Sequence, residues 1–359
     1  MKERIYICHT YYHVYVTFLK ELNLPRERRG KATLVLSSLS IDFERLKERV
    51  EATGLYEAVV PFDEKRETAF PELARYRQNT GNLLKNLINR VKFTRKFARA
   101  IAPSIPVNLK EYRDIYVYCD SDPIGYYLNV YRIPYHALED GLNCLKNYDA
   151  ARYDNRGHFR LKAFLSERCN LIFIQNGYGK YCKDMEVNDL SLLKYPYRKY
   201  IQQSRQELVE RLTQEDKDII LKAFVRDIES LQAQLSVREE KTAVEGAILI
   251  LTDPLCTLEI REKIFRDIIA MFEPEGKIYI KPHPRDELDY RTLFAEYPQF
   301  DATVPMEVFN FFSRIRFKKV VAVLTEVDSI RYADEKVRLG EDFMDRYEDP
   351  LIHRQNEQI

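Results

Sequence analysis

One histidine in this chain is placed in a way that suits chemistry. His283 lies between Pro282 and Pro284, with Lys281 and Arg285 outside them. Each proline fixes its own φ and pushes the residue before it into extended backbone, so neither Lys281 nor His283 can start a helix. An imidazole on a stiff loop between fixed cations suits an anion, to which it can donate a hydrogen bond or a proton. A second candidate is Glu139-Asp140-Gly141. Two carboxylates in contact push one pKa upward, which makes a base able to work near neutrality. An acidic turn is also ordinary turn chemistry, so this triplet gains meaning only with a partner. Asp253 follows another apolar run and is a second candidate base. Thr10 lies between His9 and His13 after the first apolar run and can cap a helix there. Each of those histidines also reads as a satisfied polar residue at a helix start.

These residues need elements to hold them. Residues 4–8 read as a strand, 11–22 as a helix, 32–37 as a strand, 41–53 as a helix and 58–62 as a strand. That alternation predicts a parallel sheet with right-handed crossovers. Strands follow at 114–119 and 134–138, the second ending in Glu139 and Asp140. Residues 171–175 form a further apolar run, closed by the turn signal Asn176-Gly177. Residues 190–235 are polar with helical patches such as 216–231, and 236–245 read as an interdomain linker. A second α/β unit then opens with a strand at 246–251 and a helix to about 271. The strand 277–280 delivers His283 beyond its carboxyl end, where ligands bind in open α/β sheets. Helices are expected at 291–297, at 305–312 and after Thr325, with a strand at 319–324. The expected domains are 1–235, linker 236–245, 246–335 and a charged tail at 336–359. The fold class is α/β, two Rossmann-like domains facing a cleft.

Composition bounds the function. The chain has 359 residues, 45% hydrophobic and 31% charged, which suits a folded two-domain protein. A formal charge of +1 gives no global argument for nucleic acid. Six cysteines lie without a C-x-x-C pair, so buried free thiols are expected rather than zinc or disulfides. No signal peptide and no 18-residue apolar run is visible, which points to the cytoplasm. Residues 75–99 stand apart, with eight basic side chains and no acid. Leu84, Leu87, Ile88, Val91 and Phe97 recur there at helical spacing. Such a segment can lie on an anionic membrane surface, receive an anionic partner, or form a homodimer contact.

Glu139-Asp140-Gly141, followed about 140 residues later by Lys281-Pro282-His283-Pro284, resembles the acidic-acidic-glycine and His-Pro pair of bacterial sialyltransferases. Residues 7–13, Ile-Cys-His-Thr-Tyr-Tyr-His, look like the opening Cys-x-Thr-Pro-x-Gln motif of glycosyltransferase family 52, the lipooligosaccharide and capsule sialyltransferases. Tyr11 stands where that motif has proline, and His13 where it has glutamine. Pro305-Met306-Glu307 resembles the Pro-x-Glu element that holds the donor ribose. The resemblance implies the two-domain GT-B fold and inverting transfer of sialic acid from CMP-sialic acid to a glycan or glycolipid hydroxyl, such as a terminal galactoside. It implies no metal and no cofactor. His283 would be the general acid. Asp140 would be the general base beside Glu139, with Asp253 the alternative. Lys281 and the hydroxyl of Thr325 or Ser329 would serve the donor phosphate, and Arg285 and Thr10 would also bind the donor. Glu307 would hold the ribose, and backbone around Pro284 the cytosine. The alternatives are a capsule or teichoic-acid-type transferase using another CMP- or CDP-activated donor, and a catalytically silent nucleotide- or glycan-binding protein.

Overall fold

The computed structural model describes residues 1–118, 120, 123–141, 157–193, 197–226, 228, 246–312 and 316–350. The chain divides into two compact units, residues 1–212 and 213–357.

The first unit is built on a parallel sheet of β1 (Lys2–Cys8), β2 (Ala32–Ser37), β3 (Ala58–Phe62), β4 (Tyr112–Tyr118), β5 (Tyr135–Leu138), β6 (Cys182–Val187) and β7 (Tyr200–Gln202). All six residues of β2 are buried, as expected for a parallel strand covered on both faces. Helices α1 (Tyr11–Leu22), α2 (Glu44–Ala52), α3 (Leu83–Ile101), α4 (Pro123–Val130), α5 (Phe159–Glu167) and α6 (Arg205–Glu210) supply the cover. The strand order is β3-β2-β1-β4-β5-β6-β7. It reverses direction between β1 and β4, so the loops leaving those two strands diverge and open a crevice at their carboxyl ends.

The second unit contains α7 (Gln214–Phe224), β8 (Ile248–Leu251), α8 (Leu258–Phe272), β9 (Ile278–Lys281), α9 (Tyr290–Leu293), β10 (Phe317–Ala322), β11 (Ala333–Arg338) and α10 (Glu341–Met344). Its parallel sheet has the order β11-β10-β8-β9, with the reversal between β8 and β10. Two glycines let β8 and β9 begin side by side. A Cβ on Gly276 would stand 1.4 Å from the carbonyl oxygen of Gly246, and Gly246 itself has φ +102°.

The α/β expectation holds for both units, and several details differ. The division falls after Leu212, ahead of the expected boundary at 235, because α7 packs on the 3-10 turn Met306–Phe311 of the second unit. The expected linker 236–245 lies outside the described residues, and Gly246 begins the next described stretch. Residues 171–175 form no strand; Ile172, Phe173 and Ile174 are buried as irregular chain, and the ladder continues instead through β6 and β7. The helix expected at 291–297 shortens to α9, and 305–312 is a 3-10 turn. Residues 326–332 form no helix and lead into β11, so the last helix, α10, comes only after that strand. The charged tail is partly structural, since Phe343 and Met344 join the core around Ile264 and Phe265. Of the cysteines, Cys8 and Cys182 are buried, Cys256 is half-buried and Cys169 is exposed; Cys119 and Cys144 lie outside the described residues.

Candidate active site

In the first unit the site grows from the carboxyl ends of β1, β4 and β5. Thr10 caps α1, its hydroxyl oxygen accepting from the His13 backbone N–H at 3.1 Å. That cap places His13 in the first turn, stacked flat on Tyr118 with ring centroids 3.7 Å apart. The Tyr118 hydroxyl also donates to the His13 carbonyl at 2.6 Å. His13 Nδ1 accepts from the His9 backbone N–H at 3.0 Å. Its proton therefore sits on Nε2, which points at Asp140 Oδ1 in a short contact. The Asp140 side chain keeps 36% of its surface exposed. Asp140 is a partly exposed carboxylate oriented by a histidine.

Glu139 differs from its neighbour. It is 7% exposed and accepts from the Asn188 backbone N–H at 2.6 Å. Burial raises its pKa, opposed by that hydrogen bond and by the Arg205 charge. It anchors the β5 end to the β6 end. Below the crevice, Glu64 accepts from Ser37 at 2.7 Å and from the Ile124 backbone N–H at 3.0 Å, and pairs with His9 Nε2 at 2.8 Å. One carboxylate thus ties the ends of β1 and β2 to the start of α4. Asp120 is wholly buried and receives the Tyr135 hydroxyl at 2.5 Å and the Asn176 N–H at 2.6 Å. Burial pushes its pKa up to about 7.

In the second unit the His283 loop is fastened by an acid. Asp286 pairs with Arg261 at 2.6 Å and accepts from Tyr290 at 2.8 Å and Thr252 at 3.2 Å. Thr252 in turn accepts from the His283 backbone N–H at 2.9 Å. His283 Nδ1 accepts from the Arg285 backbone N–H at 3.1 Å, so the neutral ring carries its proton on Nε2. Burial, then the charges of Arg285, Lys281 and Arg261, lower the His283 pKa to about 3. At neutral pH the resting ring is an uncharged Nε2–H donor rather than an imidazolium.

Lys281 is 5% exposed, and its ammonium donates to the carbonyls of Pro282 at 2.9 Å and Ala302 at 3.0 Å. Burial lowers its pKa to about 8, against the pull of Asp301 and Glu307. Lys281 thereby acts on the site as a fixed charge bound into the loop. Glu307 opens the 3-10 turn, half-buried, with its pKa raised by burial. Asp253 is 6% exposed and bridges β8 to β10, receiving the backbone N–H groups of Leu324 at 3.1 Å and Thr325 at 3.3 Å. Its other oxygen receives the Thr325 hydroxyl. That arrangement occupies both oxygens of Asp253 and the hydroxyl proton of Thr325. Pro284, Arg285 and Ser329 are exposed.

The sequence singled out both strand ends that carry candidate chemistry, and took His13 for a satisfied helix-start residue. It is satisfied, and its partner is the candidate base. Glu64, Thr252, Arg261 and Asp286 were not singled out as site residues. The bonds from Glu64 to His9 and from Arg261 to Asp286 span 55 and 25 residues, beyond any local pattern.

The model of glycosyltransferase family 52 matches residues 62–322. An uncharacterized protein of Haemophilus influenzae is 31% identical over 130 residues, 35% of this chain and 39% of that protein. The chain thus spans well under half the length of this curated relative. Among solved structures, the α/β-galactoside α-2,3-sialyltransferase of the marine bacterium Photobacterium phosphoreum superposes with a TM-score of 0.53. It is 13% identical, and the match covers 93% of this chain and 90% of that one, a likeness of fold.

Proposed function

The chain belongs to glycosyltransferase family 52, and from that premise we propose that it moves sialic acid from CMP-sialic acid to a hydroxyl of a galactoside-ended glycan, inverting the anomeric carbon. The observation that carries this reading is the Asp140–His13 pair: a half-exposed carboxylate, oriented by an imidazole N–H, on the sheet crevice where substrates bind. The galactoside named for the Photobacterium enzyme makes that acceptor the first to test.

In this reaction the bond from the anomeric carbon to the phosphate oxygen breaks, and its electron pair leaves with CMP. The transition state is oxocarbenium-like, and an acceptor oxygen attacks the opposite face. Asp140 takes the acceptor proton; His13 orients the carboxylate that receives it. Charge grows on the departing phosphate. The His283 Nε2–H donates to it, with Arg285 and Lys281 supplying positive field. The neutral ring stabilises the growing charge by hydrogen bonding and gives up no proton, since losing its Nε2–H would leave an imidazolate. Ser329 is the hydroxyl left to serve the phosphate, because Thr325 is committed to Asp253. Glu307 takes the ribose hydroxyls, and backbone near Pro284 the cytosine. Side chains carry the charge, so the reaction runs without a metal. The product extends a surface polysaccharide or lipooligosaccharide.

The test is incubation with CMP-sialic acid and a panel of galactosides. CMP release matched by sialylated product supports the proposal. CMP release without acceptor consumption means donor hydrolysis only. Consumption of a CDP-activated donor instead, or nucleotide binding without turnover, removes sialyl transfer.

A further inference from the structure

We propose that the outer face of α3 and α5 docks the protein on an anionic lipid bilayer. The C-terminal half of α3 is ordinary core, burying Phe93, Thr94, Phe97, Ala98 and Ile101. Its N-terminal half is not. Leu87 and Val91 pack against the buried cluster of Ile172, Ile174 and Tyr178, which Phe159 and Ala163 of α5 also meet. The two helices therefore pack on one cluster, and apolar side chains are left over on their outer surfaces. Leu83 is 73% exposed, Leu84 68%, Ile88 46%, Leu161 57% and Phe164 56%. Single exposed leucines are normal; five large apolar side chains on two neighbouring helices form a patch.

The charge around that patch has one sign. Lys85, Lys92, Lys96 and Arg99 are exposed on α3, and Arg160 and Arg168 on or just after α5. Leu84, Ile88 and Lys92 follow one another at four-residue spacing, as do Arg160, Phe164 and Arg168, so apolar and basic groups share a face. Glu167 is the one acid on either helix. It is ion-paired with Arg198, which holds its pKa below the usual carboxylate range. Apolar groups amid cations fit a bilayer surface, where leucine and phenylalanine enter the acyl boundary and lysine and arginine meet anionic headgroups. A second copy of the chain is a poorer occupant, since a two-fold contact would set this cationic face against itself. No helix among the described residues is long and apolar enough to cross a membrane, so the contact lies on the surface. This inference stands apart from the donor assignment.

The experiment is co-sedimentation of the full chain with vesicles of phosphatidylcholine alone, or containing about one-third phosphatidylglycerol. Two variants accompany it: Leu84→Ser with Phe164→Ser, and Lys85→Glu with Lys92→Glu and Arg160→Glu. The expected result is binding to the anionic vesicles and not to phosphatidylcholine. Each variant should bind at least about tenfold more weakly, with unchanged melting and unchanged turnover on a soluble galactoside. All substituted positions are exposed; if one variant misfolds, the other carries the test. Equal binding to both vesicle types, no binding to either, or wild-type binding by both variants overturns the proposal. So does a dimer in analytical ultracentrifugation that the Leu84/Phe164 variant dissociates.

Discussion

His13 and Asp140 are separated by 127 residues, yet their contact defines the candidate base. His13→Leu removes the N–H that orients the carboxylate and should lower kcat about 10–100-fold with little change in donor affinity. His13→Gln keeps an amide N–H in reach and should restore much of that loss, measured as product formation on a soluble galactoside. Asp253→Asn should act on stability instead. Its buried oxygens receive three hydrogen bonds, and disturbing them costs about 1–3 kcal/mol, read as a lower melting temperature. For His283 the sign follows from its depressed pKa. The unfolded ring titrates near 6.5 and the folded ring near 3. The unfolded state then binds more protons between those values, so stability falls as pH drops from about 6.5 toward 3. His283→Asn should flatten that part of the urea-midpoint profile; an unchanged slope would mean the ring is not buried neutral. The positions of Asp140 and His283 were legible because strand pattern, proline and glycine are local signals. The carboxylates Glu64 and Asp286 were not, because what makes them important is a partner brought near only by the fold.

At the scale of elements, the fully apolar strands were legible and the mixed ones were not. β2 reads as a strand because all six of its residues are buried. β6, Cys-Lys-Asp-Met-Glu-Val, hides its nature because its acid Glu186 is buried against Lys20, with 2.7 Å between them, a pairing only tertiary structure supplies. β11 lies at a sheet edge with five of its six residues exposed or half-exposed in a row, four of them charged, which also guards the edge from further pairing. The run at 171–175 shows that apolar residues can be buried without joining a ladder. The loop after β9 depends on how β8 and β9 start. Gly276→Ala would drive a methyl into the Gly246 carbonyl. We expect a loss of about 1–3 kcal/mol or more in thermal unfolding, accompanied by weaker CMP binding because the His283 loop moves with β9. Normal stability and normal binding would show that the two strand starts can separate without cost.

At the scale of the molecule, each unit has its own sheet and core, and the candidate chemistry is divided between them. The donor half-site is proposed for the second unit. Hydrogen exchange with saturating CMP should therefore slow most in peptides covering 252–253, 281–287 and 305–307, and little in β2 and β3. Protection confined to the first unit would place the nucleotide wrongly. A chelator should leave turnover unchanged if side chains alone carry the phosphate charge, as proposed; a loss restored by added divalent cation would contradict that. The broad plan, two parallel α/β units, was legible from alternating strand and helix patterns. The break after Leu212 was not, because α7 is joined to the second unit by packing rather than by composition. The most direct measurement compares Asp140→Asn with Asp253→Asn for transfer from CMP-sialic acid to lactose, with CMP binding measured alongside. Asp140→Asn should bind CMP and lose turnover by about 10²–10⁴, while the folded fraction of Asp253→Asn still transfers. Full activity in Asp140→Asn, with folded but inactive Asp253→Asn, would contradict it.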